Sequence, residues 1–372
     1  MTQIKVEDII QRIEQFAPSY LAEDWDPIGL SFGTSDKVVN KLMIALDVDA
    51  DTIQEAQELG IDLIFTHHPA IFKSLKTLNT ENSRRNEYIN LIKSDIAVFS
   101  AHTNIDAADY GMSDWLADDM ELPKGREIIS PSYQEGYKKL AVYVPERDVE
   151  EVRRALHNAG AGEVGDYQDV SYSIKGQGRF TPQKGADPAV GKIGKEEIVN
   201  EVRIEVMFPS QLTTNVITAV QTAHPYEEPV YDLYTLENEK KVYGYGRIAD
   251  YEATTEEMIG KIISKFDLAG LKYASKDPKK LHKKIAVFGG AGADYYLEAK
   301  QKGATLFITG DVSYHNAQDM LRDGIDVIDA GHYIESVFVS EMSQVINKWK
   351  KEESWDLDIF PTKKQKDVFK FS

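Results

Sequence analysis

Gly60 to Pro69 reads GIDLIFTHHP, an apolar run that ends abruptly in two adjacent histidines. Leu63, Ile64 and Phe65 have the pattern of a short strand buried on both faces, as the strands of a parallel sheet are. In open α/β sheets, ligand sites lie beyond the carboxyl ends of such strands. The chain holds eight histidines in 372 residues, so a pair at a strand end marks a place to start. Alone, the pair divides evenly between a functional site and an ordinary loop, and its surroundings must decide.

Upstream, Val6, Ile9, Ile10 and Ile13 recur at helical spacing and predict a helix over Lys5–Phe16, ended by Ala17-Pro18. The loop Leu21–Gly33, LAEDWDPIGLSFG, sets Trp25 beside Asp26, which reads as a packing anchor with a turn residue. A strand at Leu42–Leu46 and a helix at Ala50–Leu59 lead into the histidine-bearing strand. Downstream come a helix near Arg85–Ser94 and a strand at Ile96–Phe99 that runs into SAHTNID, ending at Asp106. The last third has strands at Lys284–Phe288, Ala304–Thr309 and Asp326–Ile328. Helices at Asp294–Lys302 and His315–Arg322 lie between them, and a final helix reaches Lys350. This alternation predicts an α/β fold with a largely parallel sheet covered by helices on both faces.

The two ends resemble each other. TIQEAQELGIDLIFT (Thr52–Thr66) aligns with YYLEAKQKGATLFIT (Tyr295–Thr309), matching Glu55 with Glu298, Ala56 with Ala299, Gly60 with Gly303, Leu63 with Leu306 and Thr66 with Thr309. The next strands end in Ala101-His102 and Gly331-His332. Two pseudo-repeated βα units would therefore form one core and bring His67, His68, Asp106, His332 and Glu335 to a single sheet edge. His332 and Glu335 stand three apart at a helix start and share a face. Adjacent histidines diverge in an extended segment, so His67 and His68 would serve different ions, with Asp106 as the bridge. Three imidazoles and two carboxylates suit two divalent ions, zinc first, manganese or iron as alternatives. Thr309-Gly310-Asp311 with His315, at a strand end beside those ligands, is a candidate for a supporting hydrogen bond or proton transfer, and His102 has a similar status.

Residues 127–236 break the rhythm. Strand Leu140–Val144, helix Val149–Ala159, the Gly- and Lys-bearing stretch Ser171–Gly194, strand Glu201–Met207, helix Gln211–Thr222 and strand Val230–Tyr234 predict a small inserted ferredoxin-like α+β domain. The chain then divides into 1–126 and 237–372, the two halves of the core, and the 127–236 insertion. His224, Glu227 and Glu228 invite a second metal site, but AHPYEEP reads better as a rigid loop at a subunit contact. Gly289-Gly290-Ala291-Gly292 lacks the GxGxxG and Walker patterns, so it reads as a tight turn near the site in preference to a phosphate cradle.

Composition removes other classes. A net charge of −18 argues against general nucleic-acid binding, which needs clustered Lys and Arg. The absence of cysteine excludes disulfides, thiolate ligands and a Cys nucleophile. The first residues, MTQIKVEDIIQRIEQFAP, form an amphipathic pattern and no signal peptide, and no stretch has the ~20 apolar residues of a membrane span. A soluble cytoplasmic protein is expected.

THHPAIF, AHTNIDAADYG and DAGHYIES, with WDPIGL and the GYGR of Gly244–Arg247, resemble the family of GTP cyclohydrolase I type 2 homologues, also called Nif-three-like dinuclear-metal hexamers. The likeness spans essentially the whole chain, including an insertion similar to the PII and CutA folds. It implies metal ligands at His67, His68, Asp106, His332 and Glu335, a toroidal homohexamer, and hydrolysis of GTP or a related nucleotide. Many members space the last His and Glu four apart, where this chain has three; both spacings keep one helical face. A different class remains open: a non-catalytic metal-binding or regulatory protein whose insertion recruits partners.

Overall fold

The strand Leu63–Thr66 is buried along its whole length because it is the central strand of a sheet covered on both sides. Its side chains alternate between two cores. Leu63 and Phe65 belong to the largest apolar cluster, with Phe338 and Trp115, while Ile64 packs with Ile53, Ala56, Tyr88 and Leu91. In this computed structural model, which describes residues 3–238 and 240–371, the sheet has five strands. They run in the order Asp358–Pro361, Lys41–Ala45, Leu63–Thr66, Ala97–Ser100 and Gly29–Phe32. The first four are parallel and Gly29–Phe32 is antiparallel. Ala45, Thr66 and Ser100 stand side by side in register, so the residues that follow them leave the sheet at one edge. The helix Ala50–Leu59 ends at Gly60, whose left-handed backbone (φ 66°) lets its N–H close on Ala56 and Gln57.

A second sheet has six strands, five of them from the C-terminal part of the chain. Its order is Lys272–Ala274, Asp326–Asp329, Leu306–Thr309, Leu281–Val287, Val242–Thr254 and Glu127–Gln134. The strands Leu281–Val287, Leu306–Thr309 and Asp326–Asp329 are parallel, and their neighbours Lys272–Ala274 and Val242–Thr254 are antiparallel to them. Leu306 and Ile308 face the same large cluster as Leu63 and Phe65, and Phe307 faces a separate outer cluster with Ala299 and Met320. The shared cluster also takes Val6, Ile9 and Ile13 of the helix Val6–Phe16, Met258 and Ile262 of Thr255–Phe266, and Met342 and Ile346 of Val337–Glu352. Helices thus fill the space between two sheets.

The expectation of one sheet is corrected to two, each with its own parallel run and antiparallel margins. The margins escape notice in the sequence because glycines interrupt their pattern. Val242–Thr254 contains Gly244 and Gly246 and shifts register between Asp250 and Ala253.

The chain divides into two compact units, residues 3–133 with 243–371, and residues 134–242. The second contains a four-stranded antiparallel sheet in the order Tyr231–Leu236, Tyr137–Pro145, Glu197–Pro209, Tyr172–Phe180. The helices Val149–Asn158 and Thr213–Ala223 bury Val152, Leu156, Val216 and Val220 against Leu140, Val142, Ile204 and Val206. The stretch Ser171–Gly194 holds the strand Tyr172–Phe180, whose mostly exposed residues give it no apolar alternation.

Candidate metal centre

The residues after Thr66, Ser100, Thr309 and Asp329 supply the site, all within the first unit. Thr66 Oγ1 donates to the His68 carbonyl at 2.9 Å and accepts from Ser100 Oγ at 2.8 Å, which fixes the turn carrying both histidines. The imidazoles then diverge, with ring centroids 5.0 Å apart. His67 is fully buried and His68 is partly exposed.

Two groups form around one carboxylate. In the first, Glu335 Oε2 lies 3.1 Å from His68 Nε2 and 3.1 Å from His332 Nε2, and the two nitrogens are 3.3 Å apart. In the second, His67 Nε2 lies 3.5 Å from Asp106 Oδ1 and 3.9 Å from Glu335 Oε2. Four ligands held ~2.0–2.1 Å from a tetrahedral ion stand about 3.3 Å apart, so the first group has the spacing of a chelating set. In the second, His67 Nε2 and Asp106 Oδ1 are buried and neither has a hydrogen-bond partner. Burying such atoms unpaired is costly unless something else satisfies them. The nitrogen and oxygen donors fit a divalent ion of the zinc, manganese or iron type. His102 joins His67 and His68 in a third group, its ring 5.0 Å from that of His67.

All five residues expected as ligands come together, but the sharing differs from the expectation. Glu335 belongs to both groups and Asp106 to one, so the carboxylate between two positions is Glu335. The three-residue spacing has a local cause. His332–Ser336 is a single 3₁₀ stretch, in which residues i and i+3 eclipse.

Each imidazole is held by its outer nitrogen. His68 Nδ1 is 2.8 Å from Asp47, His332 Nδ1 is 2.7 Å from Asp311, and His102 Nδ1 is 3.0 Å from Asp26. His67 Nδ1 is 3.2 Å from the Ala101 carbonyl. Such partners fix ring orientation and raise basicity, presenting Nε2 to a ligand. The sequence reading gave Asp26 only a turn role and passed over Asp47, which stands beside a strand end, whereas Asp311 lies in the Thr309-Gly310-Asp311 stretch singled out with His315. It is Asp311, and not the nearby His315, that reaches the site; His315 is exposed and its ring lies against Tyr314.

The electrostatics follow from burial. Desolvation keeps His67 well below the ordinary imidazole range. Desolvation also opposes charge on His68, but hydrogen bonds to Asp47 and Glu335 push it up to about 10. The Glu335 hydrogen bond raises His332 to about 9. Burial drives the Asp106 carboxyl up, with the Glu335 charge beside it. Burial works against Glu335 as well, yet its contacts with His332 and His68 hold it well below the usual carboxylate value. An ion binding between these groups competes with protons for the same nitrogen and oxygen atoms.

The glycine turn supports this carboxylate. A Cβ on Gly290, whose φ is +52°, would stand 2.8 Å from Glu335 Oε1, and one on Gly289 would stand 3.0 Å from it. In the second unit, His224 serves structure: Nε2 lies 2.9 Å from the Tyr143 carbonyl and Nδ1 accepts from Tyr226 N at 3.0 Å. Glu227 accepts from the Asp187 N–H. Among the described residues, no helix is long and apolar enough to cross a membrane.

Comparison with known proteins agrees with this architecture. The model of the Duf34/NIF3 (NGG1p interacting factor 3) family matches residues 4–368. A Bacillus subtilis protein named GTP cyclohydrolase 1 type 2 homolog is 40% identical over 367 residues, covering 98% of each chain. The crystal structure of a Bacillus cereus protein related to NIF3 superposes with a TM-score of 0.87 at 36% identity over the whole of both chains. That of Staphylococcus aureus protein SA1388 gives 0.80 at 29%, also over both whole chains.

Proposed function

The chain belongs to the Duf34/NIF3 family, and from that premise we propose that it is a dinuclear metal-dependent hydrolase acting on GTP or a related nucleotide. The observation that carries this reading is the pair of buried, unpartnered atoms, His67 Nε2 and Asp106 Oδ1, beside the His68–His332–Glu335 group. His67 and Asp106 would hold one ion, His68 and His332 the other, and Glu335 both, with zinc the first choice and manganese or iron the alternatives. Ions bound there supply Lewis acidity and ionise water near neutral pH. Asp47 and Asp311 keep their imidazoles aimed inward, and Asp26 fixes Nδ1 of His102 so that its Nε2 is free to carry a proton at the site. The name of the Bacillus subtilis relative supports GTP as the first substrate to test.

The same reading takes the two parallel strand sets as copies of one βα unit and residues 134–242 as a ferredoxin-like insertion. It takes the assembly as a homohexamer in the cytoplasm, which sedimentation would reveal at about six times 41.9 kDa. The direct test loads the protein with zinc, manganese or iron and assays nucleotides. Turnover of GTP or a related nucleotide, lost in His67→Ala and Asp106→Ala, is expected. Full occupancy without turnover of any nucleotide overturns the hydrolase.

One observation favours a second reading. The 134–242 unit has its own cleft of about 930 Å³, lined by Tyr143, Phe180, Glu201, Arg203 and Tyr226, a size suited to a small ligand. A regulatory metal-binding protein would use that unit to engage partners. Partner capture that survives His67→Ala and Asp106→Ala, with no turnover by the wild type, supports it.

A further inference from the structure

Three of the four tryptophans are buried as core residues should be, with Trp115, Trp349 and Trp355 each 5–7% exposed. Trp25 is 60% exposed and is no packing anchor. Its position is nevertheless fixed. Asp26, the next residue, accepts from His102 Nδ1 at 3.0 Å, from Thr103 N at 3.0 Å and from Thr103 Oγ1 at 2.5 Å. The Trp25 ring lies 6.3 Å from that of His102, which is 5.0 Å from that of His67, so one imidazole separates the tryptophan from the proposed metal ligands.

A second exposed aromatic meets it. Phe72, 53% exposed, has its ring 5.9 Å from Trp25. The interplanar angles are 61° to Phe72 and 76° to His102. These are edge contacts, and among the described residues no ring stacks on the indole face. Phe72 belongs to a segment without helix or strand between Thr66 and Ser83, a length at which structureless loops in compact domains are usually functional. The segment carries Lys73 and Lys76, both exposed, and no acidic residue from 69 to 80, in a chain of net charge −18. An open aromatic face and a second ring at an angle to it are the means by which proteins take up a base, and the two lysines offer its phosphates a charge that Glu23, Asp24 and Asp26 beside Trp25 do not.

We propose that Trp25 and Phe72 form the base subsite of the metal centre, which receives a planar heteroaromatic ring, a purine first, with its phosphates toward Lys73 and Lys76. The subsite rests on the nucleotide reading above and deepens it by naming the residue that selects for the base. Trp25 is a specificity residue and takes no part in the bond making.

The exposed tryptophan is its own reporter. Zinc-loaded wild type, Trp25→Ala, Trp25→Phe and Phe72→Ala are titrated with guanosine, GTP and ribose 5-phosphate while tryptophan emission is followed, after acrylamide has measured how accessible Trp25 is. Accessible Trp25 emission, quenched saturably by guanosine and GTP and not by ribose 5-phosphate, is expected. GTP binding should weaken roughly 10- to 100-fold in Trp25→Ala, as loss of one base–aromatic stack does, and largely recover in Trp25→Phe, with zinc content unchanged. Where GTP is turned over, KM should rise with little change in kcat. Absence of quenching, equal GTP affinity in wild type and Trp25→Ala, or a Trp25 shielded from acrylamide by a second copy of the chain each overturn the subsite. Quenching by guanosine without turnover keeps the subsite and removes the hydrolase; turnover with unchanged KM in Trp25→Ala does the reverse.

Discussion

His68 Nε2 and His332 Nε2 face one another at 3.3 Å although 264 residues separate them in the chain. Two imidazoles aimed at a common point are held apart only by what lies between them, a shared proton or an ion, and Glu335 Oε2 stands 3.1 Å from both. The register of two separate parallel strand sets produces this encounter, since each histidine follows closely on a strand end that its own sheet fixes.

That arrangement makes Glu335 the shared residue. Glu335→Gln keeps the size of the side chain and removes the charge common to both groups. It should lower metal content at both positions, while His332→Ala should lower it at one. Elemental analysis after dialysis against a fixed free-metal concentration checks this. Equal losses in the two variants would refute the sharing.

The aspartates behind the rings should matter almost as much as the ligands. Asp47→Asn and Asp311→Asn replace the acceptors of His68 Nδ1 and His332 Nδ1. Each should weaken metal affinity roughly 10- to 100-fold, read by competition with a fluorescent chelator, with the circular dichroism spectrum unchanged. Affinity equal to wild type would mean that the rings need no such support.

Part of this site was legible in the sequence. His67, His68, Asp106, His332 and Glu335 stand within six residues of strand ends, and strand ends are where α/β folds gather their chemistry. The parallel strands were legible as unbroken runs such as LIF and LFI buried on both faces. Asp26 and Asp47 were not, because an acid in a loop has the same letters whether it caps a turn or braces an imidazole, and Asp311 was legible only as part of the stretch it shares with His315. Trp25 was misread, since a tryptophan beside a turn residue is usually buried and this one is not. Two sheets in place of one could not be read, since pairing between Leu281–Val287 and Val242–Thr254 is a long-range choice that local pattern does not encode. The GYGR motif carried a structural meaning that only contacts reveal. Arg247 is 3% exposed and donates to the carbonyls of Gly244 and Gly246 and, through Nε and Nη2, to Asp114.

The Asp114–Arg247 pair sets an acid limit on stability. Asp114 accepts from Arg247 at 3.0 and 2.9 Å and from Arg126 Nε at 3.1 Å. Burial opposes its charge, but the Arg247 hydrogen bonds win and hold its carboxyl below the usual value. A depressed carboxylate contributes stability above its unfolded pKa of about 3.9 and loses it as the pH falls through the lower folded value. Asp114→Asn leaves the buried Arg247 guanidinium without its counter-charge, while Arg126 keeps Asp118, and should cost about 3–5 kcal/mol at pH 7. Urea unfolding with chelator present should show the gap from wild type narrowing only below about pH 4. A gap that stays constant to about pH 3 would sink this account.

Gly290→Ala tests whether the glycine turn is part of the site. The backbone there has φ +52°, so any side chain pays the left-handed cost of about 1–2 kcal/mol. A Cβ would in addition stand 2.8 Å from Glu335 Oε1 and 3.5 Å from His332 Cε1. Glu335 is buried and held by two imidazoles, so it cannot swing away without leaving them. The variant should therefore lose metal at both positions while remaining folded. Gly324→Ala is the control, since it shares a positive φ (+83°) and meets no atom within 4 Å. It should show the backbone cost in its unfolding free energy and retain full metal content. If both variants keep their metal, the turn serves chain reversal alone; if only Gly290→Ala loses it, the glycine is there to make room for Glu335.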